Sequence, residues 1–599
     1  MATSNIKLWT ILMMFSSLVF AQNITHGPMI GGVTESSARI YIRTNQASNF
    51  TLEYSKDSLF STFQSIASAT DSTLDNSKIV NLSSLSISTD YYFRYRINGI
   101  VQNTKGHFKT FPAVGTAEHL VFVTGSCQET ANMKVFDAMP THKPDLFIHT
   151  GDFTYPSYQI PRFYGINYPE DWGSIELAWR RRNSEPICDE MLKKIPIAYM
   201  PDDDDTWGNS KYFKGGAAQV RFENGKLINY FDLIPRTQQM RTNCLQGYQK
   251  FFPGYPVVND TDGYYHSFKV GNCEFFMVDV RSCNTGGWNN LKYNAPLNLW
   301  TFNGNSPSQS MLNQPQLNWL LNGLRNSTAT WKFIVSGVPF NKNIQPLVEL
   351  PLLLQGLQFN IAGQAGTGFR MSYSFSDYFG AYAFERTKIL KDIKDNNIKN
   401  VMVISGDTHG SGIDDGTNAG LPEMNASGLS VRDDEELYYI FNNVLSQIGF
   451  DLKKWLWNKG GMGLGNSNTN NAFGKIEIFG NDSVQLCIID EDNVTVACHT
   501  IKNNSIISGV NNVRIVNDLV TIFPNPAQDK INLEWNQKYG FEKIQQVKIV
   551  DVNGKEMYLD KTILTSPLIE IPIQQLPNGV YLLSVETEQS FSVQKFVKE

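Results

Sequence analysis

No stretch of about 20 consecutive apolar residues occurs in the 599-residue chain, so no segment has the length of a bilayer-spanning helix. Positive charge is not in excess either. Lys and Arg number 51 against 57 Asp and Glu, a formal net charge of −6. That balance argues against a protein built to grip nucleic acid or anionic membranes without specificity. The local exception is Arg180-Arg181-Arg182, which is either a solvated ion-pair cluster or a phosphate contact. There is no repeat array, no coiled coil and no long charge block. Cysteine is scarce and odd in number: Cys127, Cys188, Cys244, Cys273, Cys283, Cys487 and Cys498. An odd count in an exported chain leaves at least one thiol without an intramolecular partner, while the other six can pair. Cys487 and Cys498 flank an expected hairpin and are the easiest pair to propose.

Export is the expectation from the first residues. Lys7 precedes an apolar run from Leu8 to Phe20, and Ala21-Gln22 follows. A positive flank, a short apolar core and a small residue at its end predict a secretory signal peptide over 1–21. At this length several domains are expected. Residues 22–113 read as alternating short strands, for instance Ala38–Arg43 and Tyr91–Arg96, and predict a small β-sandwich, fibronectin-III-like in kind. From 117 to 502 short apolar runs end in polar, glycine-containing loops. Leu317, Leu320, Leu321 and Leu324 follow a helical spacing between them. The pattern predicts a layered α/β domain with its polar residues gathered at strand ends, where such sheets place their sites. Residues 503–518 read as a linker, and 519–599 return to short strands.

Several of those strand ends carry a side chain able to bind a metal. They are Cys127, Asp152 with Tyr155, the four aspartates Asp202–Asp205, and Asp407 with His409. Taken singly each has an ordinary reading: Asp152 and Asp407 as turn residues, Cys127 as a buried thiol, the aspartates as an exposed loop. Their coincidence favours a cation site, because a metal needs ligands from several elements and adjacent aspartates repel unless something positive sits among them. Residues 354–382, rich in Gly, Phe and Tyr, either shape a substrate pocket or are loop packing.

The set Gly125-Ser126-Cys127, Gly151-Asp152-Phe153-Thr154-Tyr155, Asp202–Asp205, Asp279-Val280-Arg281, the segment Trp331–Phe340 and Gly406-Asp407-Thr408-His409 resembles the alkaline phosphatase D (PhoD) branch of the calcineurin-like metallophosphoesterases. The opening His26–Val33 resembles that branch's amino-terminal sandwich. The resemblance spans roughly residues 24–500. It implies a four-layer αββα core and a two-metal site, Fe3+ with Ca2+. By that resemblance Cys127, Asp152, Tyr155 and His409 hold the first cation, Asp152 bridges, and Asp203 and Asp407 hold the second. Cys127 would then be the unpaired cysteine. The implied activity is that of a secreted phosphoric ester hydrolase, a phosphatase or phosphodiesterase using a metal-activated hydroxide to scavenge phosphate. A phospholipase D-like lipid hydrolase and a non-catalytic calcium-binding surface protein are the alternatives. The expected partners are therefore a small-molecule or lipid phosphoester and no specific nucleic acid. Asp204 stands where the family carries a histidine near the leaving group. It is a general acid, a further metal ligand or a sign of weakened catalysis. Arg281 either contacts the phosphate or pairs with an acidic neighbour.

A second resemblance lies at the carboxy terminus. Phe523-Pro524-Asn525-Pro526, Asn578-Gly579-Val580-Tyr581 and the final Gln594–Lys598 are similar to a type A sorting domain of the type IX secretion system of Bacteroidetes. It implies the type IX secretion machinery as a partner and a secreted or cell-surface destination.

Overall fold

The strands Cys273–Val278, Trp331–Ser336 and Val401–Ser405 are mostly apolar and buried along their whole length, which requires cover on both faces. Phe275, Met277, Phe333, Val335, Met402 and Ile404 enter one buried cluster, while Phe276, Val278, Ile334, Val401 and Val403 enter a second. Successive side chains thus go to opposite faces, as a pleated strand demands. The computed structural model in which this is seen describes most of residues 22–128, 134–155, 171–206, 237–259, 263–285, 306–345, 376–430, 456–462, 470–503 and 514–599, together with short strand segments between 211 and 235 and between 291 and 302.

The three strands run parallel inside a seven-stranded sheet. A nine-stranded sheet holds another parallel trio, His119–Gly125, Leu146–His149 and Ile197–Tyr199. The first cluster draws on both sheets, so they face each other across it. Phe122 of the larger sheet meets Phe275 edge-on at 5.3 Å, and Phe275 stacks on Phe333 at 4.7 Å. Helices supply the outer layers. Asn313–Asn326 has Pro315 in its first turn and buries Leu317, Leu320, Leu321 and Leu324 in the second cluster, beside Ile389 and Ile393 of the helix Ala383–Asp395. On the other side Trp172–Asn183 and Gln238–Phe251 contribute Ile175, Trp179, Leu245 and Phe251 to the first cluster. This is the four-layer αββα order expected above. Among the described residues no helix is long and apolar enough to cross a membrane.

The strands of residues 22–113 divide between two sheets. Gln64–Ala69, Asn49–Ser55, Asp90–Ile97 and Ile100–Lys109 form a four-stranded sheet. Ile24–Gly31, Ala38–Thr44 and Ser77–Leu82 are instead continuous with the nine-stranded sheet, through Gly31 paired to Ile197. At the other end a five-stranded and a three-stranded sheet enclose a core of their own, including Leu533, Trp535, Ile549, Leu583 and Phe596.

The expected disulfide joins Cys487 and Cys498, which face each other across paired strands. It is the one disulfide among the described residues. The wider expectation that six cysteines pair is not met. Cys273 is a buried thiol inside the sheet stack, and burial pushes it far up from its ordinary value. Cys188, the expected signal peptide 1–21, and residues 354–375 lie outside the described residues.

Candidate metal centre

Both parallel trios run their carboxy-terminal ends to one region, and every candidate residue follows such an end. Ser126 and Cys127 follow Gly125. Asp152 and Tyr155 follow His149. Asp202–Asp205 follow Tyr199. Arg281 follows Val278, and Asp407 and His409 follow Ser405. Strands that stop together leave their loops converging across the top of the stack.

The donor atoms of Cys127, Asp152, Asp407 and His409 lie within 4.8 Å of one another, and so do those of Asp152, Asp202 and Asp203. Asp152 belongs to both groups, the position of a bridge. Cys127, Asp152, Tyr155, Asp407 and His409 all have positive φ, between 45° and 65°. Five non-glycine residues in this sparsely populated region, all at one site, are held there by their surroundings.

The four adjacent aspartates have four different environments. Asp205 is buried and does not face the cation groups. Its carboxylate accepts the backbone N–H groups of Asp152 at 2.7 Å, Phe153 at 2.9 Å, Thr154 at 2.6 Å and Asp202 at 3.0 Å, and the Thr154 hydroxyl at 2.9 Å. It therefore moulds the loop that presents Asp152. Asp202 is ion-paired with Arg281. Asp203 is 3.8 Å from Arg281 and partly exposed. Asp204 is half-buried, and its backbone N–H donates to Asp152 Oδ1 at 3.1 Å. Gly151 (φ +119°) makes this crowding feasible, since a Cβ there would stand 2.2 Å from Asp202 Cβ.

Arg281 is fully buried and bonds Asp202 and Asp407 directly. The turn that delivers it is built by Asp279, whose Oδ1 accepts the N–H groups of Arg281 at 3.0 Å and Ser282 at 2.8 Å. Burial opposes the guanidinium charge, but the three carboxylates of Asp202, Asp203 and Asp407 outweigh it and hold Arg281 protonated. One guanidinium does not balance this cluster. Burial, then the charges of Asp203 and Asp204, push Asp152 well above the usual carboxylate range. Burial, then Asp203 and Asp202, do the same to Asp407. Burial raises Asp202 to about 7 and the Cys127 thiol to about 11. Tyr155 Oη, Asp202 Oδ2 and Asp203 Oδ1 are buried with no hydrogen-bond partner. Buried polar atoms are normally satisfied. Uncompensated acids, an orphan phenol and a thiol around two points are what a pair of cations would satisfy, so the residues present fit the implied metals.

Residues 120–426 match the family model described as PhoD-like phosphatase, just over half of the chain. The chain belongs to the PhoD-like phosphatase family. Its similarity to alkaline phosphatase D of Bacillus subtilis (strain 168) is 26% identity over 333 residues, covering 54% of this chain and 51% of that protein. The chain thus matches about half the length of that curated relative. A solved structure of PhoD superposes with a TM-score of 0.57 at 18% identity, covering 81% of this chain and 93% of the other, and shares its fold. Residues 521–599 match the family described as secretion system C-terminal sorting domain. That domain directs the PhoD-like chain to the cell surface or the extracellular space.

Other residues complete the PhoD-like site that no local sequence signal marks. Arg182 is buried, not solvated: it donates to the carbonyls of Phe153 and Gln128 and so staples the 152 loop to the 127 loop. Arg180 pairs with Asp75. Asn425, fully buried, donates to Gly406 O at 2.8 Å and accepts the Thr408 hydroxyl at 2.6 Å, fixing the loop that carries Asp407 and His409. Of the candidate pocket residues 354–382, Tyr378 reaches the site and donates to Asp407 O at 3.0 Å. Ser126 and Ser427 flank the Cys127 sulfur at 3.5 and 3.1 Å.

Proposed function

We propose that this chain is a secreted, metal-dependent phosphoester hydrolase that scavenges phosphate from monoesters or diesters. The observation that carries the reading is the pair of donor groups sharing Asp152, built on residues with positive φ. Cys127, Asp152, Tyr155 and His409 would hold one cation, and Asp152, Asp203 and Asp407 the other, with Asp407 also within reach of the first set and Asp202 of the second. A sulfur- and nitrogen-bearing set suits a transition metal and an all-oxygen set a hard cation, which supports Fe3+ with Ca2+. When bound, such a pair supplies charge neutralisation for phosphoryl oxygens and an acidified water. We assign the division of the chain to an N-terminal unit 22–113, a catalytic unit 117–502, a linker 503–518 and the sorting unit 519–599.

The chain's own residues do the rest. Arg281 pairs with Asp202 and Asp407 as their shared countercharge and opposes, without cancelling, the upward push of burial on both carboxyls. Asp205 and Arg182 hold the 152 loop against the 127 loop, so the donors are preorganised before substrate arrives. For Asp204, half-buried beside Asp152, we propose the role of proton donor to the departing oxygen.

The decisive assay compares p-nitrophenyl phosphate, bis-p-nitrophenyl phosphate and phosphatidylcholine, each with and without chelator. Chelator-sensitive release from one of the first two is expected. Phosphatidylcholine as the preferred substrate would favour the lipid reading, and no hydrolysis of any would sink the enzyme reading. Asp152→Asn should abolish turnover without unfolding the protein. Asp204→Asn should slow phenyl phosphate, whose leaving group needs a proton, far more than p-nitrophenyl phosphate; equal slowing would remove the proton-donor role.

A further inference from the structure

The Cys127 sulfur has two hydroxyl neighbours, and each is tied to the loop across the site. Ser427 Oγ accepts the backbone N–H of His409 at 2.9 Å and stands 3.1 Å from Cys127 Sγ. Ser126 Oγ accepts the backbone N–H of Asp407 at 3.3 Å and stands 3.5 Å from the same sulfur. Both serines are 1% exposed. A backbone N–H can only donate, so each oxygen is the acceptor toward the loop and has its own proton left to give. The sulfur is the neighbour both can reach. Backbone contacts fix the arrangement. Ser427 N–H donates to Gly410 O at 3.1 Å, and its carbonyl accepts the Ser411 hydroxyl at 2.9 Å. Gly406 lets the loop close on Ser126, because a Cβ there would stand 2.5 Å from Ser126 Oγ.

We infer that Ser126 and Ser427 are positioning residues that aim two O–H donors at the Cys127 sulfur and set how much charge it gives to a bound cation. The inference rests on the reading of Cys127 as a metal ligand. Hydrogen bonds to a coordinating sulfur withdraw electron density, and such outer partners tune the metal. Removing one makes the sulfur a stronger donor, which lowers the energy of sulfur-to-metal charge transfer. The shorter contact predicts the larger effect at Ser427.

The test uses the full chain loaded with Co(II), read by its near-ultraviolet sulfur-to-cobalt absorption. The wild type should show a band that Cys127→Ser removes. Ser427→Ala should move that band to longer wavelength, Ser126→Ala should move it less, and Ser427→Thr, which keeps the hydroxyl, should leave it in place. A band unmoved in both alanine variants overturns the inference while leaving Cys127 a ligand. If the wild type shows no band dependent on Cys127, the ligand reading fails and this one with it. Should Ser427→Ala not fold, as judged by circular dichroism, Ser126→Ala decides alone: a shift supports the clamp and an unmoved band overturns it.

Discussion

At the scale of single residues, the Asp202–Asp205 run shows how little residue type says about role. Asp205 spends its carboxylate on five protein donors, while Asp204 gives its backbone N–H to Asp152. Hydrogen bonds to a buried charge contribute about 1.5–3 kcal/mol each, though not additively. Asp205→Ala should therefore cost about 3 kcal/mol or more in urea denaturation and abolish turnover, whereas Asp204→Ala should cost less than about 1 kcal/mol. Equal losses would contradict the assignment. Glu423 gives a pH dependence of known sign. Burial raises its carboxyl to about 7 from an ordinary 4.5; hydrogen bonds from Ser405 and Phe340 N–H and the charge of Arg386 oppose this, and Asp414 adds to it. The folded protein thus keeps a proton that the unfolded chain has released, so this group's contribution to stability falls as pH rises from about 4.5 to about 7. Glu423→Gln removes that titration. Its stability relative to wild type should rise across this window by about 3 kcal/mol and stay level above it.

At the scale of elements, strands set the site and loops only finish it. Residues that follow the parallel strands meet although they are hundreds of positions apart, as with Cys127 and Ser427, the latter after Pro422–Ala426, which runs parallel to Val401–Ser405. The loop 406–409 hangs from Asn425 and presses against Ser126 and Thr150 through the bare face of Gly406. Gly406→Ala would put a Cβ 2.5 Å from Ser126 Oγ and 2.7 Å from Thr150 Oγ1. Far-ultraviolet circular dichroism should stay unchanged while metal content and turnover are lost. Retained metal at the wild-type level would show that the loop can shift without opening the site. The run of short apolar strands, the helix at Asn313–Asn326 and the clustering of polar residues at strand ends were legible as patterns, because burial on both faces and helical spacing leave a local imprint. The hydroxyls, Asn425 and the Arg182 staple left none, since their partners lie on other elements.

At the scale of the whole molecule, the C-terminal unit has its own core, yet Val550, Leu582, Phe591 and Val593 belong to the outer cluster that also holds Leu456 and Trp457. Removing residues 519–599 should leave chelator-sensitive turnover intact and increase the binding of an apolar fluorescent dye. Loss of turnover with retained strand content would mean that this unit supports the site. Export suits the Cys487–Cys498 disulfide, which closes a hairpin far from the candidate centre in sequence.

The residue types at the strand ends, the sheet-and-helix order and the two family resemblances were determined by the sequence alone, because local periodicity and short motifs carry that information. Only the tertiary structure decided which aspartate binds Arg281 and which moulds a loop, that Arg182 is a staple, and that Cys273 is a buried thiol. Each of those outcomes depends on which strand neighbours which, and on how a buried charge finds its partner, quantities that no window of consecutive residues contains.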